Sequence, residues 1–217
     1  MRTEFEQQLK DLNQNLTDMS ELCIQSVEEA LKALIEQEEA PAHQVLEREM
    51  KINDLEREIS QEAIRLVMRQ QPVASDLRFL SASISMNTDL ERIGDQAEDI
   101  SRLVLQMIQT GYEKRELGSL VEMSRRTNEM IEQSVQAFIS DDAELAEQVV
   151  DSDDLVDALF VKVRDEIVKD IQEGSYEAST LTDMLMIAKY LERIGDHATN
   201  IGEAVYFSIT GQKIEAK

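Results

Sequence analysis

Six residues occur twice in this chain. Leu90-Glu91-Arg92-Ile93-Gly94-Asp95 returns as Leu191-Glu192-Arg193-Ile194-Gly195-Asp196, 101 positions later. In each copy a Glu and an Asp stand four apart, one above the other on a helix face. A third oxygen donor follows one turn on, Asp99 in the first copy and Asn200 in the second. Like charges at that spacing destabilise a bare helix by roughly 0.2–0.5 kcal/mol per pair. The interior glycine adds about 1 kcal/mol relative to alanine. Carrying these costs twice, at matched positions, points to something that binds there, and a hard or borderline cation is the natural candidate.

A second set of oxygen donors precedes each copy. Glu49 and Asn53 lie 22 and 18 residues before position 71, and Glu91 and Asp95 lie 20 and 24 after it. If the chain turns back at 71 as a helical hairpin, a rise of about 1.5 Å per residue brings these pairs within a few ångströms of one level. Asp153 and Asp157 stand 21 and 17 before Gly174, and Glu192 and Asp196 stand 18 and 22 after it. Each half is therefore expected to face two rows of oxygen ligands across a helix–helix groove. Such a donor set suits Mg²⁺, Ca²⁺, Mn²⁺ or iron ahead of a structural Zn²⁺ site. Gly94 and Gly195, between the ligands, would let a neighbouring helix or an ion approach closely. Arg92 and Arg193 each follow their Glu by one position and are expected on another face, so that internal pairing leaves the need for a cation. His197 falls about 100° round the helix from Asp196 and reads as an exposed or rim histidine.

The elements that must position these rows are all helices. Phe5, Leu9, Leu12, Leu16, Met19, Cys23, Val27, Ala30 and Leu34 step by three and four, which predicts a long helix over 2–38 with Cys23 as a small core residue. Glu38-Glu39-Ala40-Pro41 reads as its break. Further stripes predict helices over 42–70, with Val45, Ile52, Ile59 and Leu66 inward, and over 75–109, with Leu90, Ile93, Ala97, Ile100 and Val104 inward. Ser75 or Asp76 is the expected N-cap of the third and Gly111 its C-cap. The second half repeats the plan over 114–139, 143–173 and 177–209, with Leu117 among the inward residues of the first of these. The fold class is all-α, six long antiparallel helices in two tandem three-helix bundles, residues 1–111 and 112–217.

Composition limits the functions open to such a fold. The net charge of −23 repels phosphate backbones and anionic membrane surfaces, so neither nucleic-acid binding nor membrane insertion is expected. It suits cations or a partner with a basic patch. A single cysteine, Cys23, and no signal-like or spanning apolar run fit a cytoplasmic protein. Ferritin-like di-metal oxidases use Glu-x-x-His, but three residues before His43 and His197 stand Ala40 and Ile194. No serine has a partnered histidine and no glycine-rich phosphate loop occurs, so a non-enzyme is expected. The remaining rival is a metal-free helical adaptor.

The doubled hexapeptide, the stretch Gln71-Pro72-Val73-Ala74-Ser75-Asp76-Leu77-Arg78 ahead of its first copy, and the acid-x-x-x-acid/Asn steps at 49–53 and 153–157 together resemble the PhoU family of phosphate-uptake regulators, over essentially the whole chain. The resemblance implies two three-helix bundles carrying multinuclear metal clusters (iron, manganese, magnesium or zinc) and frequent homodimers. It implies a cytoplasmic negative regulator of phosphate uptake and of phosphate-starvation transcription, bridging the ATPase subunit of the phosphate ABC transporter and a sensor histidine kinase. Matched to the family's motifs, Glu91, Asp95, Glu192 and Asp196, with Glu49, Asn53, Asp153 and Asp157 and with Asp99 and Asn200, become the implied metal ligands. The Pro-Val-Ala-Ser-Asp-Leu-Arg stretch has no counterpart in the second half, so the halves are not equivalent. Asp89 and Tyr190, aligned with each other, stay outside the site.

Overall fold

A computed structural model describes residues 2–70 and 72–214. Gln71, the expected pivot of the first hairpin and the first residue of its motif, lies outside them. Six helices follow in order: α1 (Arg2–Glu36), α2 (Glu39–Gln70), α3 (Ala74–Thr110), α4 (Gly118–Ser140), α5 (Ala143–Glu173) and α6 (Ala178–Thr210). There is no strand among the described residues.

Helices α1, α2 and α3 pack on one another, as do α4, α5 and α6, giving two three-helix bundles. The halves join along α3–α6 and α1–α4. Helices α2 and α5 stand outside this central layer, each packed only on two helices of its own half. The predicted stripes are the core. Leu12, Leu16, Met19, Cys23 and Val27 of α1, Ile52 and Ile59 of α2, Leu90, Ile93 and Ala97 of α3, and Leu191, Ile194 and Ala198 of α6 are all fully shielded from water. One apolar cluster runs through both halves, and Phe79 of α3 stacks on Phe138 of α4 with ring centroids 4.8 Å apart.

The helix ends differ from expectation in three places. The first break falls at Gln37, in the left-handed region (φ 61°), with the Glu38 N–H donating to the Ala33 carbonyl (3.3 Å). Pro41 is inside the first turn of α2, where its missing N–H leaves no hydrogen bond unmade. Neither Ser75 nor Asp76 is the N-cap of α3. That position is Val73, whose N–H donates to the Asp76 carboxylate one turn on (3.2 Å). Helix α4 starts at Gly118 rather than near 114. The preceding link is tied down instead: the Tyr112 hydroxyl donates to the Leu34 carbonyl, the Gln37 amide donates to the Tyr112 carbonyl (2.9 Å), and Arg115 is bound to Asp170 (2.6 Å). Leu117 consequently caps α4, half-buried, rather than sitting within its stripe. Gly111 ends α3 as expected, with φ 76° and its N–H on the Met107 and Ile108 carbonyls.

Two side-chain features set the α2–α3 register. Asn87 is fully buried and donates to the Glu56 carbonyl (2.9 Å) and to Ser60 Oγ (3.0 Å), tying α3 to α2. Gly94 lets α2 lie close, because a Cβ there would come within 3.1 Å of two Ile52 carbons.

Candidate metal centres on the two outer hairpins

With that register, the first row of acids faces the second as the distances from the turn require. Glu49 is 5% exposed. Its Oε1 accepts from the Asn53 amide (2.7 Å), and its Oε2 is buried with no hydrogen-bond partner. Burial, followed by the charges of Asp95, Glu98 and Glu91 across the groove, pushes its carboxyl from an ordinary 4.5 up to about 7. Burial and then Asp95 raise Glu91, with Glu56 of α2 adding to the effect. Burial, Glu98 and Asp95 raise Asp99. Glu49, Glu91, Asp95 and Asp99 are thus linked by repulsion, with Asn53 beside them as the neutral donor that partly relieves Glu49.

The α5–α6 groove repeats the pattern with less cover. Burial, then Asp157 and Asp196, push the Asp153 carboxyl from an ordinary 3.8 up to about 6. Burial and then Glu192 raise Asp196, while Lys189 opposes the shift. Asp157 and Asp196 are exposed. Gly195 leaves room for the facing helix, since a Cβ there would lie 3.2 Å from Val156 Cγ1 and 3.5 Å from Asp153 Oδ1.

Three features depart from the sequence reading. Arg92 does reach the first row, at 3.0 Å from Asp95 and 3.4 Å from Glu91. Its long side chain spans the i,i+3 step that the one-residue offset from Glu91 conceals. Lys189 does the same to Glu192 in the second half and lies 5.4 Å over the Phe160 ring. Asn200 is drawn away from the α5–α6 groove. Its amide donates to Asp89 of α3 (3.2 Å), the carboxylate that His197 Nδ1 also bonds (2.9 Å). Asp89, excluded from the site at the sequence level, therefore holds α3 to α6. Among the described residues, no three His, Cys, Asp or Glu side chains converge on one point.

Glu98 and Glu56 were missed. Glu98 stands seven residues, two turns, after Glu91, a signal legible in the sequence. It is also paired with Arg102 (2.6 Å). Cys23 is buried as expected, its thiol donating to the Leu90 carbonyl (3.2 Å) and pushed up strongly by burial, which leaves it a core residue. His43 is exposed, 4.0 Å from Glu39.

The donor chemistry fits a hard cation. The facing groups are carboxylates and one amide, and Glu49 offers a buried oxygen that nothing in the protein satisfies. Chemically, the rows can release protons and exchange their Arg92 and Lys189 contacts for a metal ion.

Comparison with known proteins places this geometry in context. The PhoU domain matches residues 16–104 and again 120–205. The chain is 32% identical over 213 residues to a Clostridium acetobutylicum protein named phosphate-specific transport system accessory protein PhoU homolog, covering 97% of this chain and 96% of that one. It is 33% identical to the Pseudomonas aeruginosa protein of the same name, covering 97% and 87%. The crystal structure of PhoU from Pseudomonas aeruginosa superposes with a TM-score of 0.91 at 34% identity, covering 96% of this chain and 100% of that one. That of the phosphate transport system regulatory protein PhoU from Streptococcus pneumoniae gives 0.89 at 26%, covering 98% and 100%.

Proposed function

The chain belongs to the PhoU family, and from that premise we propose that it is a non-enzymatic accessory protein of a phosphate-specific transport system, a cytoplasmic negative regulator of phosphate uptake whose acidic grooves hold metal ions. Its relatives carry the accessory-protein name. No helix among the described residues is long and apolar enough to cross a membrane. The partners on this reading are the transporter's ATPase subunit and a sensor histidine kinase, with the protein acting as a homodimer.

The observation that carries the metal reading is Glu49: a nearly buried carboxylate with an unsatisfied oxygen, facing Asp95, Glu98 and Glu91. Glu49, Asn53, Glu91, Asp95 and Asp99 would hold one centre, and Asp153, Asp157, Glu192 and Asp196 the other. A bound ion would neutralise the rows and stiffen each outer hairpin against its half. Arg92 and Lys189 favour the second reading, a metal-free adaptor, because each already supplies a cation to its row.

Elemental analysis after extensive dialysis separates the two. About one or more tightly bound ions per chain, lost on Glu49→Gln with Asp95→Asn in the first groove, is the expected result. Protein carrying no bound metal that gains no thermal stability with Mn²⁺ or iron is the metal-free adaptor. Deleting the gene tests the regulatory role: phosphate accumulation and transporter expression should rise under phosphate-replete growth, and unchanged levels of both overturn it.

A further inference from the structure

Between α1 and α4, where the halves meet away from the acidic rows, runs a groove to which neither α2 nor α5 contributes. Its apolar part comes from Ile24 and Leu31 together with Ile35 and Val121, the last two 40% and 42% exposed. The lining spans residues 24–36 of α1 and 121–132 of α4, about 18 Å at 1.5 Å per residue, or about three helical turns.

The rim is acidic. Its cations are already engaged by neighbours on their own helices: Lys32 lies 3.7 Å from Glu29, and Arg125 binds Glu122 (2.6 Å) and Glu129. Glu28, Glu36 and Glu132, all lining the groove, have no ion-pair partner among the described residues. A groove about three turns long, with Ile24, Ile35 and Val121 presenting apolar surface among unneutralised carboxylates, is complementary to a helix with one apolar face and basic flanks. A second copy seated groove to groove is a poor occupant, because it would set Glu28, Glu36 and Glu132 against their own equivalents.

We propose that the α1–α4 groove receives a cationic amphipathic helix of about three turns from a partner protein. The helix sets its apolar face, residues at i, i+3/4 and i+7, on the accessible apolar side chains Ile24, Ile35 and Val121. Its flanking Lys or Arg residues pair with Glu28, Glu36 and Glu132. This site is independent of the metal rows.

A displayed library of randomised helical peptides, selected against the intact protein, tests the proposal. Enriched peptides should carry apolar residues at helical spacing with Lys or Arg beside them. Their affinity should fall at least tenfold on Val121→Arg, and at least tenfold on the triple change Glu28→Gln, Glu36→Gln and Glu132→Gln. All four altered side chains are at the groove surface, and circular dichroism checks that each variant keeps its helix content and melt. Failure to enrich any peptide, enrichment of acidic or non-amphipathic sequences, or selected peptides that bind Val121→Arg as tightly as the parent each overturn it. So does sedimentation showing that Val121→Arg dissociates a dimer, which would give the groove to a second copy.

Discussion

The two outer hairpins are built on one plan but hold their charges differently. In α2–α3, Glu49 is 5% exposed and its partner one turn on is Asn53, a neutral amide that donates to it. In α5–α6, the matching positions are two acids, Asp153 and Asp157, the latter exposed. The first groove thus concentrates repulsion by burial and relieves part of it through an amide. The second carries one more formal charge in its α5 row, where Asp157 is exposed to water that screens it. This contrast teaches that equal spacing does not give equal sites. Burial and like charge raise the two carboxyls by similar steps, Glu49 from 4.5 to about 7 and Asp153 from 3.8 to about 6; what differs is the closer cover over Glu49 and the neutral amide bonded to it.

The strongest way to test the contrast is to load the grooves. Metal at 100 times its Kd, bound only by folded protein, should add about 2.7 kcal/mol, a rise of roughly 5–10 °C in Tm at about 2–4 °C per kcal/mol for a chain of this size. Glu49→Gln should remove more of this gain than Asp153→Asn, as differential scanning calorimetry with and without Mn²⁺ would show. Equal losses would mean that burial does not set the difference.

Closing the gap between helices comes next. Gly94→Val and Gly195→Val force a branched side chain against Ile52 or Val156, where even a Cβ sits at 3.1–3.2 Å. Overpacking of this kind costs about 1–3 kcal/mol. Gly94→Val should be the worse, since two Ile52 carbons stand in the way. Urea melts of the two variants check the order.

The pH dependence of the metal-free protein should show the rows directly. Folded Glu49 and Asp153 hold protons that the unfolded chain releases near 4.5 and 3.8. Their neutral forms favour folding at low pH, and that contribution fades as pH rises through about 6 for Asp153 and about 7 for Glu49. Tm should therefore fall between about pH 4 and 7. Glu49→Gln should remove most of the fall at the upper end of that range, and Asp153→Asn most of it at the lower end. Saturating metal should flatten or reverse it.

The smallest effect is expected from Arg92→Met and Lys189→Met. Each removes a partly exposed pair of a kind worth about 0.2–1 kcal/mol. Each should also tighten divalent-cation binding severalfold by isothermal titration, because the ion no longer competes with a built-in cation.

Much of this site was legible in the sequence. The doubled Glu-x-x-x-Asp, the stripes and the distances from each turn placed Glu49 opposite Asp95 and Asp153 opposite Asp196, because helix rise and hairpin symmetry are fixed by the backbone. What escaped depends on side-chain reach and on packing between the halves. Arg92 and Lys189 bend toward acids three residues away, a rotamer choice that no periodicity encodes. Asn200 and His197 turn to Asp89 because α3 and α6 lie against each other, a contact outside either hairpin. The start of α4 slipped to Gly118 because Arg115 is held by Asp170, a tie from the far end of α5.

The seam of α3 on α6 has an ancestral meaning. Each is the third helix of its half, and each carries one copy of the doubled hexapeptide. These equivalent helices pack more extensively on each other than on any helix of their own half. A primitive chain of one repeat would have bared that strip to solvent and needed a twin to cover it. Joining two such repeats through residues 111–117 covers the strip within one molecule and leaves two similar but unequal grooves, each free to change without the other.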